Sequence, residues 1–180
     1  MGQSALLLLD AVEILQRENI DYAVIGAFAL SAHGVVRAST DVDALLPTTP
    51  QHLAKLSTLF DRAGFATELR RGDADDPIPA MLILRDAYNN QVDLLGGLRG
   101  MDPAVFSRTV EVPFMGVNLH IVGREDFIAM KCFAGGPQDI LDAESAYRSA
   151  QGPIDLDLLR AVTRRFGRDA ADRLEQVLAN

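Results

Sequence analysis

Cysteine and lysine are scarce in this chain, and each scarcity excludes something. The single cysteine, Cys132, rules out an internal disulfide and is typical of a protein that works in the reducing cytoplasm. Only two lysines occur among the 17 basic residues, so positive charge is carried mainly by arginine. The formal net charge of −8 argues against a broad surface for binding polyanions, although a local basic groove stays possible.

Long hydrophobic runs are also missing. The apolar run over residues 6–9 is soon interrupted by Asp10 and Glu13, and no basic segment precedes it. The sequence therefore predicts neither a signal peptide nor a membrane span, and no membrane partner. With 180 residues and 48% hydrophobic content, the chain can bury one core and carry a helical appendage.

The most informative stretch is residues 22–46. A buried strand over residues 22–25 breaks at Gly26 into a short helix, and a loop then leads into a second strand that carries Asp41 and Asp43. Because side chains alternate along a strand, both carboxylates are predicted to point the same way. Two such charges repel each other, and a divalent cation relieves the repulsion. Gly26 permits a tight turn, after which backbone N–H groups could contact a phosphate.

A third acid lies in an apolar strand further along the chain. Residues 81–87 and 91–95 are predicted to form a hairpin that turns at Asn89 and Asn90. Asp93 falls in the second of these strands, where an unpaired buried carboxylate is costly. The alternative is an aspartate on an edge strand, exposed to solvent.

These residues resemble the nucleotidyltransferase superfamily of the DNA polymerase β type, in which an apolar strand and two small residues precede Asp-x-Asp. The pattern A-x-x-x-H-G-x-x-R-x-(S/T)-x-D-V-D is most similar to the AbiEii group of toxin-type nucleotidyltransferases. It is carried here by residues 27–34, then Arg37, Thr40, Asp41, Val42 and Asp43. Ala27 replaces the second small residue of the pair, so a hydroxyl that could contact phosphate is lost.

The resemblance implies an α/β (α+β) fold, with a short mixed sheet flanked by helices and a C-terminal helical tail. It implies a core over residues 1–135 and a helical segment over residues 136–180. The implied activity is metal-dependent transfer of a nucleoside monophosphate from an NTP to a hydroxyl, with Mg²⁺ or Mn²⁺ as cofactor and pyrophosphate as product. The implied catalytic and metal-binding residues are Asp41, Asp43 and Asp93, and the implied nucleotide-binding residues are Gly26, Ala27, Arg37, Thr40, Lys131 and Asp139.

Lys131 lies on a helix predicted over residues 124–134, beside its apolar stripe. AbiEii-type proteins carry a lysine in this helix, followed by (Arg/Lys)-Asp-x-x-Asp, which Asp139 and Asp142 match. Gln138 stands where the basic residue is expected. Two simpler interpretations stay open: Lys131 extends its ammonium into water, and the two acids lie in the first turn of a helix, where they complement its dipole.

Three functions remain open at this stage. The first is an active nucleotidyltransferase whose acceptor is a protein, a small molecule or a specific RNA end, with an antitoxin as a possible partner. The second is a catalytically weakened protein that binds nucleotide or a partner, a hypothesis that Ala27 and Gln138 favour. The third is a protein-binding module with structural carboxylates. His33 and His120 lack neighbours at metal-ligand spacing and are predicted to be structural or exposed.

Overall fold

The computed structural model describes residues 3–37 and 41–179. Helices and strands follow one another in a mixed order along these residues. They are α1 (Ser4–Arg17), β1 (Ala23–Ile25), α2 (Gly26–Ala32), β2 (Val42–Leu45), α3 (Pro50–Arg62), β3 (Ala66–Arg71), β4 (Ala80–Arg85), β5 (Gln91–Leu95), a 3₁₀ helix (Pro103–Arg108), β6 (Val110–Phe114), β7 (Val117–Ile121), α4 (Arg124–Ala134), α5 (Pro137–Arg148), α6 (Leu156–Arg165) and α7 (Arg168–Ala179).

All seven of these strands join one mixed sheet in the order β3-β4-β5-β2-β1-β7-β6. The pairs β2–β5 and β1–β7 are parallel, and the remaining neighbours are antiparallel. The sequence prediction of a mixed sheet flanked by helices is confirmed. Strands β4, β5, β2 and β1 lie next to one another in this order and form the centre of the sheet.

Local sequence explains where several elements begin and turn. Thr49 caps α3, and its side chain accepts a hydrogen bond from the N–H of His52, while Pro50 takes the first helical position. The β4–β5 hairpin turns at Asn89, which has a φ of 64°, a conformation that asparagine tolerates better than most residues. Asp155 caps α6, and its side chain accepts a hydrogen bond from the N–H of Leu158.

Some helices pack against the sheet, and others pack against one another. Helix α1 contacts β2 and β5, and α3 contacts β3 and β4. Helix α4 packs against α5, α6 and α7. Arg173 of α7 donates to the carbonyls of Cys132 and Phe133, which strengthens the attachment of α7 to the end of α4. The division of the chain after residue 135 stays a prediction.

Two strands have bounds that the sequence did not predict, and one short helix was not predicted. Strand β2 begins at Val42, so Asp41 is the residue before the strand rather than part of it. A polar loop is predicted from residue 70 onward, after a strand over residues 65–69, but β3 continues to Arg71 because Arg70 and Arg71 pair with β4. The 3₁₀ helix was not predicted. It is capped by Asp102, whose side chain accepts from the N–H of Ala104.

No helix within residues 3–37 and 41–179 combines the length and hydropathy needed to cross a bilayer.

Candidate active site

Asp43 and Asp93 lie side by side at the centre of the sheet. Strands β2 and β5 are parallel, and Asp43 and Asp93 are direct Cα partners in their register. Because side chains alternate along each strand, both carboxylates lie on the same face. Their neighbours on the other face, such as Ala44 and Leu94, are fully buried. Asp93 therefore lies on the same side of the sheet as Asp43, as the sequence predicts.

The charge of Asp41, the residue before β2, acts on both members of this pair. Burial raises the pKa of Asp43 to about 6, and repulsion from Asp93 and Asp41 adds to the rise. Burial also raises the pKa of Asp93, with a further contribution from Asp41. Lys131 and Arg37 oppose the rise at Asp43. The site thus concentrates negative charge in a partly desolvated place, which a cation would stabilise.

Gly26 is required by the approach of Asp43. Ile25 and Asp43 are register partners on β1 and β2, so Gly26 leaves the sheet beside the carboxylate. Its φ is +67°, in the left-handed region, and a Cβ added there would strike Oδ2 of Asp43. Ala27 follows in the first turn of α2 and is buried. Glycine at this position therefore permits the turn and leaves room for the carboxylate of Asp43.

Replacing Gly26 with alanine is expected to destabilise the fold more than the same change at another left-handed glycine. Gly116, with φ +86° and no atom near a built Cβ, is the matched control. Gly116→Ala should lower the free energy of unfolding by about 1–2 kcal/mol, from backbone strain alone. Gly26→Ala should lose a further ~1–3 kcal/mol from the clash with Asp43. Denaturant unfolding measures both, and equal losses would show that the carboxylate does not need this space.

Asp142 is the centre of a second charged cluster, formed with residues from three parts of the chain. Its side chain is only 2% exposed. Its Oδ2 lies 2.7 Å from Nη1 of Arg37 and 2.8 Å from Nζ of Lys131. Its Oδ1 accepts from Nε2 of Gln138 at 2.9 Å. This carboxylate therefore joins Arg37, which follows α2, to helices α4 and α5.

Lys131 does not extend into water. Its side chain is 15% exposed, and its ammonium lies 2.8 Å from Oδ1 of Asp139 as well as from Asp142. Asp139 also accepts from the N–H of Gly136, which closes the first turn of α5. The interpretation that both acids lie in that first turn is wrong for Asp142. It lies one turn further on, where Arg37 and Lys131 balance its charge.

Two glutamines that contact the acidic residues were not predicted from the sequence, and one predicted residue cannot be placed. Gln91, which donates to Asp93, and Gln138, which donates to Asp142, were not assigned to the site. Gln91 had a signal, because it lies two residues before Asp93 on the same face of a predicted strand. Thr40 lies outside the described residues. His33 is buried and its Nε2 bonds the carbonyl of Val122, which agrees with a structural role.

The donor chemistry of the site suits a hard cation. Within the described residues, no three histidine, cysteine, aspartate or glutamate side chains are grouped so that they could hold a metal ion as they stand. Asp43 and Asp93 nevertheless offer adjacent carboxylates, which Mg²⁺ and Mn²⁺ prefer. Asp41 precedes β2 and is exposed, so strand pairing does not fix its side chain.

Comparison with known proteins identifies this architecture. Family models and curated proteins give no match to the chain. Solved structures do: the antibiotic-resistance factor ANT(2″)-Ia matches at 14% identity and a TM-score of 0.63, with 99% of each chain covered. The chain has a nucleotidyltransferase-like fold.

Two further structures agree. An antigenic nucleotidyltransferase-like protein from Paracoccidioides brasiliensis matches at 16% identity and a TM-score of 0.56, covering 99% of this chain and 93% of its own. The lincosamide antibiotic adenylyltransferase LnuA, with lincomycin bound, matches at 13% identity and a TM-score of 0.52, covering 83% and 98%. At such identities the similarity establishes the fold and does not extend to the AbiEii group.

Proposed function

We propose that the protein is a metal-dependent nucleotidyltransferase, which transfers a nucleoside monophosphate from an NTP to a hydroxyl group. The observation that carries the proposal is the register of Asp43 and Asp93 on parallel central strands of a nucleotidyltransferase-like sheet. Gly26, packed against Asp43 at the end of β1, adds the small residue that the superfamily pattern requires at this turn.

The proposed reaction is a displacement at the α-phosphorus of the NTP. The acceptor oxygen forms a bond to this phosphorus, the bond to the bridging oxygen breaks, and pyrophosphate leaves. Asp93 accepts the proton of the hydroxyl, a role that its raised pKa favours. Asp41, Asp43 and Asp93 would hold Mg²⁺ or Mn²⁺, which when bound neutralises charge on the phosphates. Backbone N–H groups at Gly26 and Ala27 are the proposed phosphate contacts.

Arg37 and Lys131 are the proposed cations for the triphosphate. Both lower the pKa of Asp43, so both lie close enough to act on the carboxylate site. Asp142 holds the two together, and Asp139 gives Lys131 a second partner. We therefore assign Asp139 to nucleotide binding through Lys131. Thr40, which lies between Arg37 and Asp41 in the sequence, stays a candidate from the sequence pattern.

We propose a small molecule as the acceptor. ANT(2″)-Ia has been solved in complex with adenylyl-2″-tobramycin, and LnuA is an adenylyltransferase of lincosamide antibiotics. A net charge of −8 further favours a neutral or cationic acceptor over nucleic acid. A protein or a specific RNA end are the other acceptors that the experiment must distinguish. Membership of the AbiEii group, an antitoxin partner and a cytoplasmic location stay predictions.

A nucleotide-binding protein without turnover is the second candidate. Gln138 occupies the position where the AbiEii pattern has a basic residue, and its amide donates to Asp142 instead of offering charge to a phosphate. Fewer cations at the triphosphate would weaken transfer more than binding. Binding of NTP without release of pyrophosphate would favour this candidate over the first.

Labelling distinguishes these possibilities. The purified protein is incubated with each of the four α-labelled NTPs, Mg²⁺ or Mn²⁺, and either cell extract or a set of small hydroxyl compounds. We expect label to pass to a small molecule together with pyrophosphate release, and Asp93→Asn to lower the rate of transfer about 100- to 10,000-fold. Label on a protein or RNA would identify that macromolecule as the acceptor instead. The absence of label from every fraction would contradict the proposed activity.

A further inference from the structure

Gln91 holds one oxygen of Asp93 in place. The two residues lie on the same face of β5, and Nε2 of Gln91 donates to Oδ1 of Asp93 at 2.9 Å. We propose that Gln91 is a positioning residue for the nucleotidyl transfer, acting through Asp93. The inference rests on the proposed function, and it assigns a role to a residue outside the superfamily pattern.

Gln91 is itself held by a chain of polar side chains that crosses three strands. Nε of Arg85 donates to Oε1 of Gln91 at 3.1 Å, across the β4–β5 register pair that these residues form. Nη1 of Arg85 donates to Oε2 of Glu68 at 3.1 Å on β3. Arg70 completes the chain, since its Nε donates to Oε1 of Glu68 at 2.7 Å. Asp93 therefore stands at one end of a connected network.

The chemistry of this network fixes the orientation of the Gln91 amide. A guanidinium has only donors and an ionised carboxylate has only acceptors. The amide between Arg85 and Asp93 must therefore direct its oxygen to the arginine and its nitrogen to the aspartate. With both ends engaged, the amide cannot turn over without losing two hydrogen bonds at once.

A neutral donor suits the role proposed for Asp93. A guanidinium in direct contact would pair with the carboxylate and compete with a cation for its oxygens. The amide fixes the plane of the carboxylate and leaves its negative charge and its second oxygen for the cation and the acceptor proton. Hydrogen-bonding partners of this kind set the orientation of metal-binding side chains, and their loss typically lowers metal affinity or activity about 10- to 100-fold.

Kinetics of three variants test the inference. Gln91→Met keeps the length of the side chain and removes the donor, so we expect kcat to fall about 10- to 100-fold. The KM for NTP should stay within about twofold of wild type, because the lost contact acts on the reacting group rather than on nucleotide binding. The kcat of Gln91→Glu should fall further, because the new carboxylate would pair with Arg85 and repel Asp93. The control is Gln51→Met, an exposed position on α3, which should behave as wild type.

A double-mutant cycle separates positioning from a general structural effect. In an Asp93→Asn background, Gln91→Met should reduce the residual rate of transfer no further. Mn²⁺ affinity, followed by the electron paramagnetic resonance of the free ion, should show the same pattern in the four proteins. The inference would be overturned if the effects of Gln91→Met and Asp93→Asn on the rate of transfer multiply in the double variant. It would also be overturned if Gln91→Met keeps the kcat of an active wild type. Neither result would affect the proposed function. A wild type that neither transfers nucleotide nor binds Mn²⁺ would overturn the proposed function, and the inference with it.

Discussion

Replacing Asp43 with asparagine is expected to abolish nucleotidyl transfer without weakening the fold. The change keeps the size of the side chain but removes the charge that a cation requires. Loss of one preorganised electrostatic contact typically lowers kcat about 100- to 1000-fold, and we expect at least that. The folded protein should not suffer, because burial and repulsion from Asp93 and Asp41 already disfavour the charged carboxylate.

The raised pKa of Asp43 determines in which direction Asp43→Asn changes the free energy of unfolding, and at which pH. The pKa of Asp43 rises from its ordinary 3.8 to about 6 in the folded protein, so between these values the folded state binds more protons than the unfolded state. Stability therefore falls as pH rises through this window, and the full penalty persists above it. Asp43→Asn removes the penalty. It should be about 3 kcal/mol more stable than wild type at pH 8, and the difference should fade as pH falls below about 4.

Thermal melts with ligand complete the test. Wild type should be stabilised by Mg²⁺ with NTP, because ligands that bind only the folded state shift the equilibrium toward it. The double variant Asp41→Asn/Asp43→Asn should lose this shift while its ligand-free melting temperature stays at least as high as that of wild type. An equal ligand-induced shift in both proteins would contradict a cation at this site. Destabilisation of the variant without ligand would show instead that the aspartates are structural.

The pattern of residues predicted the position of Asp93 because strand pairing follows a simple rule. Alternation along β2 and β5 fixes which side chains share a face, and the hairpin at Asn89 places β4 beside β5. Alternation thus explains why Asp43 and Asp93 share a face, whereas the resemblance implied that their strands are neighbours. The same alternation marks Gln91, yet its role depends on Arg85 from the neighbouring strand, which spacing within one strand cannot reveal.

The cluster at Asp142 was not predictable in the same way. Arg37 and Asp142 are 105 residues apart in the sequence, and their contact depends on how α5 packs against α4 and the residues that follow α2. Local rules gave Asp142 only the role of an acid near a helix start. Long-range ion pairs are set by tertiary packing, so no periodicity in the sequence distinguishes Asp142 from an exposed helical acid.

Replacing Asp142 with alanine is expected to cause a large loss of stability. The variant removes a carboxylate that is 2% exposed and leaves Arg37, Lys131 and Gln138 without this acceptor. Removing one partner of a buried ion pair typically costs about 3–5 kcal/mol, because the remaining charge stays desolvated. Lys131 keeps Asp139 as a partner, so we expect about 3 kcal/mol, the lower end of this range.

The matched control is Asp172→Ala on α7. Asp172 pairs with Arg168 at 3.7 Å, and the two side chains are 64% and 91% exposed. An exposed pair of this kind contributes less than about 0.5 kcal/mol, so the control should unfold almost as wild type does. A cycle with Arg37→Met should show that the losses from Asp142→Ala and Arg37→Met are not additive, since each removes the same contact. Additive losses, or equal unfolding of Asp142→Ala and Asp172→Ala, would mean that this cluster does not attach Arg37 to the helices.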